Sequence, residues 1–133
     1  MGYPHQHFQG DKGYNGVAIV SRVELGDRGR RLWAGKEDSR HVEATLPGGI
    51  EVHCVYVPAG GDVPDPAANE KFAHKLAFLD HLAEYWGSAG KDTPRVLVGD
   101  LNVAPLEADV WSHRQLLDVV SHTPAETTRF NAI

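Results

Sequence analysis

The sequence has one cysteine, Cys54, and one methionine in 133 residues. A lone cysteine excludes an internal disulfide and any multi-cysteine zinc site, and it points to a reducing, cytoplasmic compartment. No apolar run approaches the roughly 18 residues that span a bilayer. Residues 1–10 also lack the apolar core of a signal segment, so no membrane partner is expected. Positive charge is scarce as well: 13 Lys and Arg stand against 18 Asp and Glu, for a net charge of −5. That balance excludes a protein that coats nucleic acid by charge alone. It leaves open an enzyme that brings a divalent cation to a phosphate. Internal repeats, low-complexity tracts and recognisable linkers are missing too.

What is present reads as a globular chain: 41% apolar and 23% charged residues, in a length that suits one ordinary domain. The charge is uneven. Residues 22–40 hold six basic side chains (Arg22, Arg28, Arg30, Arg31, Lys36, Arg40) against four acidic ones (Glu24, Asp27, Glu37, Asp38). Such a strip suits either a polyanion-facing surface or a solvated loop between strands.

The first dozen residues, with Gly2, Pro4 and Gly10, show no periodicity and are expected to be irregular. Val17 to Arg22 is rich in β-branched residues and predicts a buried strand. Val42, Ala44 and Leu46 alternate, and after Pro47-Gly48-Gly49 so do Ile50, Val52, Cys54 and Tyr56, which predicts an antiparallel hairpin. From Asn69 to Trp86, apolar residues at Phe72, Leu76, Leu79, Ala83 and Trp86 recur every three or four positions. That spacing predicts an amphipathic helix, with Lys71, Lys75, Asp80 and Glu84 on its polar positions, Asp65 or Asn69 as its cap and Gly87 as its stop. After a polar connector, Arg95 to Val98 predicts a strand reached by a crossover, hence a mixed sheet. Val110 to Val120 reads as one helix or two short ones, with Pro124 just beyond, and no closing element is expected at the end of the chain.

Two segments carry polar groups off strand ends: Tyr56 to Gly61, and Val98-Gly99-Asp100-Leu101-Asn102-Val103-Ala104-Pro105. In the second, a carboxylate and a carboxamide two residues apart lie on one side of an extended chain. Asp100 can accept a proton while Asn102 orients the same oxygen, or both can ligate a hard cation such as Mg²⁺. The pair also suits an Asx-turn at a strand exit. None of the eight histidines falls in a tight ligand pair; His74 and His81, seven apart, are too distant to chelate one ion. Structural or solvated roles are expected for them all, His53 being set apart only by its strand position near Tyr56.

Gly13-Tyr14-Asn15-Gly16-Val17-Ala18-Ile19-Val20-Ser21-Arg22, Val55-Tyr56-Val57-Pro58-Ala59-Gly60-Gly61 and the Val98 to Pro105 segment occur in this order. Together they resemble the exodeoxyribonuclease III (AP endonuclease) branch of the endonuclease/exonuclease/phosphatase superfamily. The resemblance covers nearly the whole chain and is supported by Lys71 to Leu76 and Asp109 to His113. It implies an α+β fold, part of a four-layer α/β sandwich with mixed β-sheets flanked by helices. It also implies a Mg²⁺- or Mn²⁺-dependent phosphodiesterase for DNA repair, acting on duplex DNA at abasic sites and 3′ ends. By resemblance, Tyr56 lies beside the scissile phosphate, Asp100 activates the attacking water, and Asn102 orients the phosphate. Asp100 and Asn102 are also the candidate metal ligands, and Lys12, Tyr14, Asn15, Arg22 and Arg40 the candidate DNA contacts. Ala59 stands where many members carry Asn.

Two family features have no counterpart: the early strands that carry an Asn and the main metal-binding Glu, and the closing strands with a further Asp and a Ser-Asp-His motif. Residues 1–133 therefore read as a single partial domain, the central part of the family fold. Such a piece is expected to be inactive alone and prone to self-association through uncovered strands. Two other readings remain: a phosphatase or phospholipid-type phosphodiesterase of the superfamily, and a non-catalytic remnant that binds DNA or a partner.

Overall fold

The computed structural model describes residues 2–88 and 93–133, which form two compact units. The first contains the chain up to Tyr56 together with residues 93–101, and the second residues 57–88 and 102–133. The connector expected before Arg95 falls partly on residues 89–92, outside the described residues.

The first unit is all strand. A hairpin of β1 (His5–Gly10) and β2 (Gly16–Ser21) accompanies a four-stranded sheet. That sheet holds β3 (Gly26–Gly29), β4 (His41–Leu46), β5 (Ile50–Tyr56) and β6 (Arg95–Asp100), in that order. β4 and β5 form the predicted hairpin, its turn closed by the Gly49 N–H donating to the Leu46 carbonyl at 3.1 Å. β6 runs parallel to β5, so the sheet is mixed, as the crossover reading requires. Leu25, Trp33, Val42, Ala44 and Val55 are its buried apolar residues.

Two expectations fail in this unit, at β1 and at β2. Residues 5–10 form a strand, not an irregular segment: His5, His7 and Gln9 are half-buried, while Phe8 is 70% exposed. Polar residues take the covered face, so no hydrophobic alternation announced the strand. β2, expected to be buried, alternates instead, with Val20 exposed. In β5 the fully buried side chains are His53 and Val55, whereas Ile50 is exposed and Val52 and Cys54 are only half-buried. Cys54 bonds to the Ala18 backbone, and burial pushes its thiol pKa up.

The second unit is helical. α1 (Glu70–Ser88) begins at Asn69, whose Oδ1 accepts from the Lys71 N–H at 3.1 Å. It passes through Gly87 without stopping there. Buried on it are Phe72, Leu76, Phe78, Leu79 and Leu82, and also Lys75, which the polar reading of that position missed. A short 3-10 turn (Glu107–Asp109) and α2 (His113–Leu116) replace the single helix allowed for residues 110–120. α3 (Pro124–Phe130) is the closing element that the sequence did not suggest. Thr123 and Glu126 form a reciprocal capping box around Pro124 at its first turn, and Arg129 pairs with Asp80 of α1 at 2.8 Å. No helix among the described residues is long and apolar enough to cross a membrane.

One glycine governs how β6 meets β5. Gly99 has φ +122°, and a Cβ there would collide with the Val55 carbonyl oxygen, its partner in the parallel register. Gly48 also has positive φ, at +92°, but nothing lies within 4 Å of its Cβ position. Gly99→Ala is expected to cost about 3 kcal/mol, combining backbone strain with overpacking. Gly48→Ala should cost only the strain. Urea denaturation of both variants checks this; equal losses would show that close approach at Gly99 is not limiting.

Candidate active site

The parallel register sets Tyr56, the last residue of β5, opposite Asp100, the last of β6. Asp100 is exposed and Tyr56 half-buried, so a phenol and a carboxylate stand side by side at one end of the sheet. Tyr56 is held from its other side by Arg40. The Tyr56 N–H donates to the Arg40 carbonyl at 2.8 Å, and Arg40 Nη1 donates to the Tyr56 carbonyl at 3.1 Å. The Arg40 guanidinium also stands 4.6 Å from the centre of the Tyr56 ring. Arg40 is only 7% exposed, and Asp38 neutralises it at 2.6 Å. Arg40, a candidate DNA contact in the sequence, is buried in the structure and braces Tyr56.

Asn102 belongs to the second unit. Its backbone is left-handed, with φ +47°, and its Nδ2 donates to the Val57 carbonyl at 2.9 Å, which fixes the carboxamide. Its own carbonyl accepts from Lys75 Nζ at 2.7 Å. Asp100 belongs to no group of three ligating side chains among the described residues, so it offers a cation part of a ligand set and not a complete one.

The other candidate DNA contacts divide. Lys12 and Tyr14 are exposed in the β1–β2 turn, Tyr14 by 80%. Arg22 is exposed too, its guanidinium over the Tyr3 ring at 5.1 Å. Asn15 is buried, and its carbonyl accepts from the Asp11 N–H at 2.8 Å.

Sequence reading missed the cluster that most resembles a metal centre. His41, Glu43 and His53 present ligand atoms to one another across β4 and β5. His41 Nε2 lies 3.1 Å from His53 Nδ1 and 3.9 Å from Glu43 Oε2, and the latter two atoms are 3.4 Å apart. A tetrahedral site with bonds near 2.1 Å separates its donors by about 3.4 Å, so the spacing suits zinc. The protons do not. The Arg31 N–H donates to His41 Nδ1 at 2.9 Å, which leaves the ring proton on Nε2, directed at His53 Nδ1. A cation on Nε2 would require an imidazolate. The Arg31 guanidinium already occupies both oxygens of Glu43, at 2.8 and 3.2 Å. The two histidines are neutral and bonded to each other, and the His53 proton is left on Nε2, 3.6 Å from Glu51 Oε2, with the side chain buried.

Burial, then the neighbouring His53 and Arg31, lower the His41 pKa from 6.5 to about 3. Burial also lowers that of His53, against the pull of Glu43 and Glu51. His113 and His122 form a second pair at 2.8 Å, with His122 Nδ1 donating to the Ala104 carbonyl at 2.7 Å. The His41 shift fixes a pH dependence. Below pH 6.5 the unfolded chain takes up a proton that the folded chain refuses, so stability is full above 6.5 and declines toward pH 3. The slope is at most about 1.4 kcal/mol per pH unit, or roughly 2 kcal/mol between pH 6.5 and 5. Urea midpoints at pH 7 and 5 should fall accordingly, and less in His41→Phe; identical pH dependence in both proteins would rule His41 out as the source.

Comparison with known proteins gives these sites a context. Residues 1–132 match the model of the Endonuclease/Exonuclease/phosphatase family. No curated protein sequence matches the chain. Among solved structures, an AP endonuclease from Archaeoglobus fulgidus is similar at 34% identity and TM-score 0.85, over 98% of this chain and 49% of its own. The 3′-5′ exonuclease NExo from Neisseria meningitidis is similar at 30% identity and TM-score 0.76, over 98% and 50%. A variant of the 3′ phosphatase NExo from Neisseria, bound to product DNA hairpin, matches at 29% identity and TM-score 0.76, over 98% and 50%. The chain thus spans about half the length of the structures it matches. With its mixed sheet and with a family match that runs from residue 1 to residue 132, the chain belongs to the endonuclease/exonuclease/phosphatase family.

Proposed function

We propose that this chain is the central part of a divalent-metal-dependent DNA phosphodiesterase of exodeoxyribonuclease III type, a cytoplasmic repair enzyme acting at abasic sites and 3′ ends. The observation that carries the reading is the register that sets Tyr56 beside Asp100 at the ends of β5 and β6. The similar structures support it, being an AP endonuclease and a 3′-5′ exonuclease. In this reading the exposed Asp100 carboxylate takes a proton from the attacking water as the water oxygen bonds to phosphorus, the bond from phosphorus to the 3′ oxygen of the neighbouring sugar breaks, and that leaving oxygen takes up a proton from solvent. Tyr56, held by Arg40, offers its hydroxyl to a phosphate oxygen. The fixed carboxamide of Asn102 orients another. Lys12, Tyr14 and Arg22 supply contacts to the DNA backbone, which position the substrate without reading its sequence. Mg²⁺ or Mn²⁺, held in part by Asp100 and Asn102, would neutralise charge on the phosphoryl group. A 3′-phosphatase activity is the second reading, favoured by the DNA-bound neighbour.

The test uses the full gene product that carries these 133 residues, with a labelled abasic duplex and Mg²⁺. Asp100→Asn keeps size and one hydrogen bond but cannot accept the proton, so cleavage should fall about 10²-fold or more with duplex binding retained. Tyr56→Phe should lower turnover while leaving the denaturation midpoint nearly unchanged. Near wild-type cleavage by Asp100→Asn at saturating Mg²⁺ would overturn the assignment. Release of phosphate from a 3′-phosphorylated end without cleavage of the abasic strand would favour the second reading.

A further inference from the structure

We propose that Lys75 is a positioning residue for the phosphodiesterase site, one that holds the backbone of Asn102 in its left-handed conformation. The inference rests on the function proposed above and adds a residue that touches no substrate.

Lys75 lies mid-helix in α1 with its side chain wholly buried. Its ammonium has three protons to place, and every acceptor is inside the second unit. Glu126 Oε1 accepts at 2.5 Å, the Asn102 carbonyl at 2.7 Å, the Ala59 carbonyl at 3.2 Å and Ser121 Oγ at 3.4 Å. Glu126 is equally buried. Besides Lys75 it accepts from the Ser121 N–H, the Thr123 N–H and the Thr123 hydroxyl. The pair therefore joins the segment after β5 to the segment after β6, and both to the start of α3.

Stability alone does not explain such a pair, since well-packed apolar residues usually serve a buried site as well or better. Backbone strain does. Four described non-glycine residues have positive φ: Asp27, Ala34, Asn102 and Ser121. The last two are the ones this ion pair grips. Lys75 binds the Asn102 carbonyl, and Glu126 binds the Ser121 N–H while Lys75 reaches its hydroxyl. The Ser121 carbonyl accepts from the Ala104 N–H at 2.7 Å, closing the loop that begins at Asn102. Strained residues persist only where their surroundings over-determine them, and they cluster where geometry matters for function. The packing is tight as well: a Cβ on Gly60 would stand 2.9 Å from Lys75 Cδ.

A merely structural ion pair and a positioning one differ when both charges are removed together. Lys75→Met leaves Glu126 buried and uncompensated, so its denaturation midpoint should drop by several degrees. Lys75→Met with Glu126→Gln removes both charges and keeps an amide oxygen for the Ser121 and Thr123 donors, so most of that midpoint should return. Abasic-duplex cleavage by the full gene product should not return: kcat should stay at least tenfold down with KM within about threefold of wild type. The side-chain ¹⁵N amide signals of Asn102 provide a second readout, assigned by their loss in Asn102→Asp. They should shift and lose exchange protection in the double variant. If the double variant does not fold, Glu126→Gln alone, which keeps Lys75 but weakens its anchor, should show the same changes in smaller measure. Recovery of cleavage and of the Asn102 signals along with the midpoint would overturn the proposal. If wild type itself does not cleave, the functional reading fails, and the Asn102 signals still decide whether Lys75 holds that backbone.

Discussion

β5 is paired on both edges, antiparallel to β4 over residues 50–55 and parallel to β6 over residues 51–56. The parallel pairing is the constraint from which the rest follows. A parallel neighbour cannot be reached by a tight turn, so the chain must leave at Tyr56 and return at Arg95 by a crossover. α1 occupies that crossover. The same pairing puts the C-terminal ends of β5 and β6 at one edge, and there Tyr56 and Asp100 become neighbours. Gly99 is the local condition: with a side chain at that position, β6 could not approach the Val55 carbonyl closely enough to bring its last residue into register.

The elements legible in the sequence are those that carry apolar residues in a recognisable pattern, even where, as with Ile50 in β5 and Val96 and Val98 in β6, that face is exposed. The β4–β5 hairpin was visible because apolar residues alternate on either side of a Pro-Gly-Gly break, Val42, Ala44 and Leu46 before it and Ile50, Val52 and Cys54 after it. α1 was visible through the spacing of Phe72, Leu76 and Leu79, and β6 through its short Val-Leu-Val run. β1 escaped because its covered residues are His5, His7 and Gln9. β3, Gly-Asp-Arg-Gly, carries no hydrophobic signal at all. α3 has only Ala125 and Phe130 as apolar residues, and it is defined by its capping box and by Glu126. Lys75 was legible in principle. It lies three residues after Phe72 and four before Leu79, on the apolar stripe of the helix, where a lysine needs a buried partner. At the candidate site the reading located Tyr56, Asp100 and Asn102 as residues at strand exits. It could not see that Arg40, read as surface charge, turns inward onto Tyr56, because charge counts carry no direction.

Buried polar groups in this chain are handled in three different ways, and the differences follow from desolvation. Lys75 and Glu126 stay paired, each surrounded by further hydrogen bonds, because an ion taken out of water costs several kcal/mol unless its remaining valences are filled. Arg40 uses Asp38 for its charge and an aromatic face for its plane, an arrangement that guanidinium favours over ammonium. His41 and His53 give up charge altogether and form a directed chain from the Arg31 N–H. In that arrangement three ligating side chains within bonding range of one another are already engaged, the His41 proton with His53 and both Glu43 oxygens with Arg31.

None of the three candidate reactive groups is positioned by its own side chain alone. Tyr56 is fixed through its backbone and ring by Arg40, Asp100 by the register that Gly99 permits, and Asn102 by Val57 on its carboxamide and Lys75 on its carbonyl. In each case at least one supporting contact is to the residue's own backbone, whose position side-chain rotation cannot change. A phosphoryl-transfer site requires this kind of support, since its catalysis comes mainly from preorganised charge and orientation and a displacement of about 1 Å can cost roughly 10²-fold in rate. A group that only bound DNA would need no such support, and exposed Lys12 and Tyr14 lie in a surface turn. The investment of buried charge around Asn102, in a loop with two left-handed residues, is therefore better matched to a reaction than to binding alone.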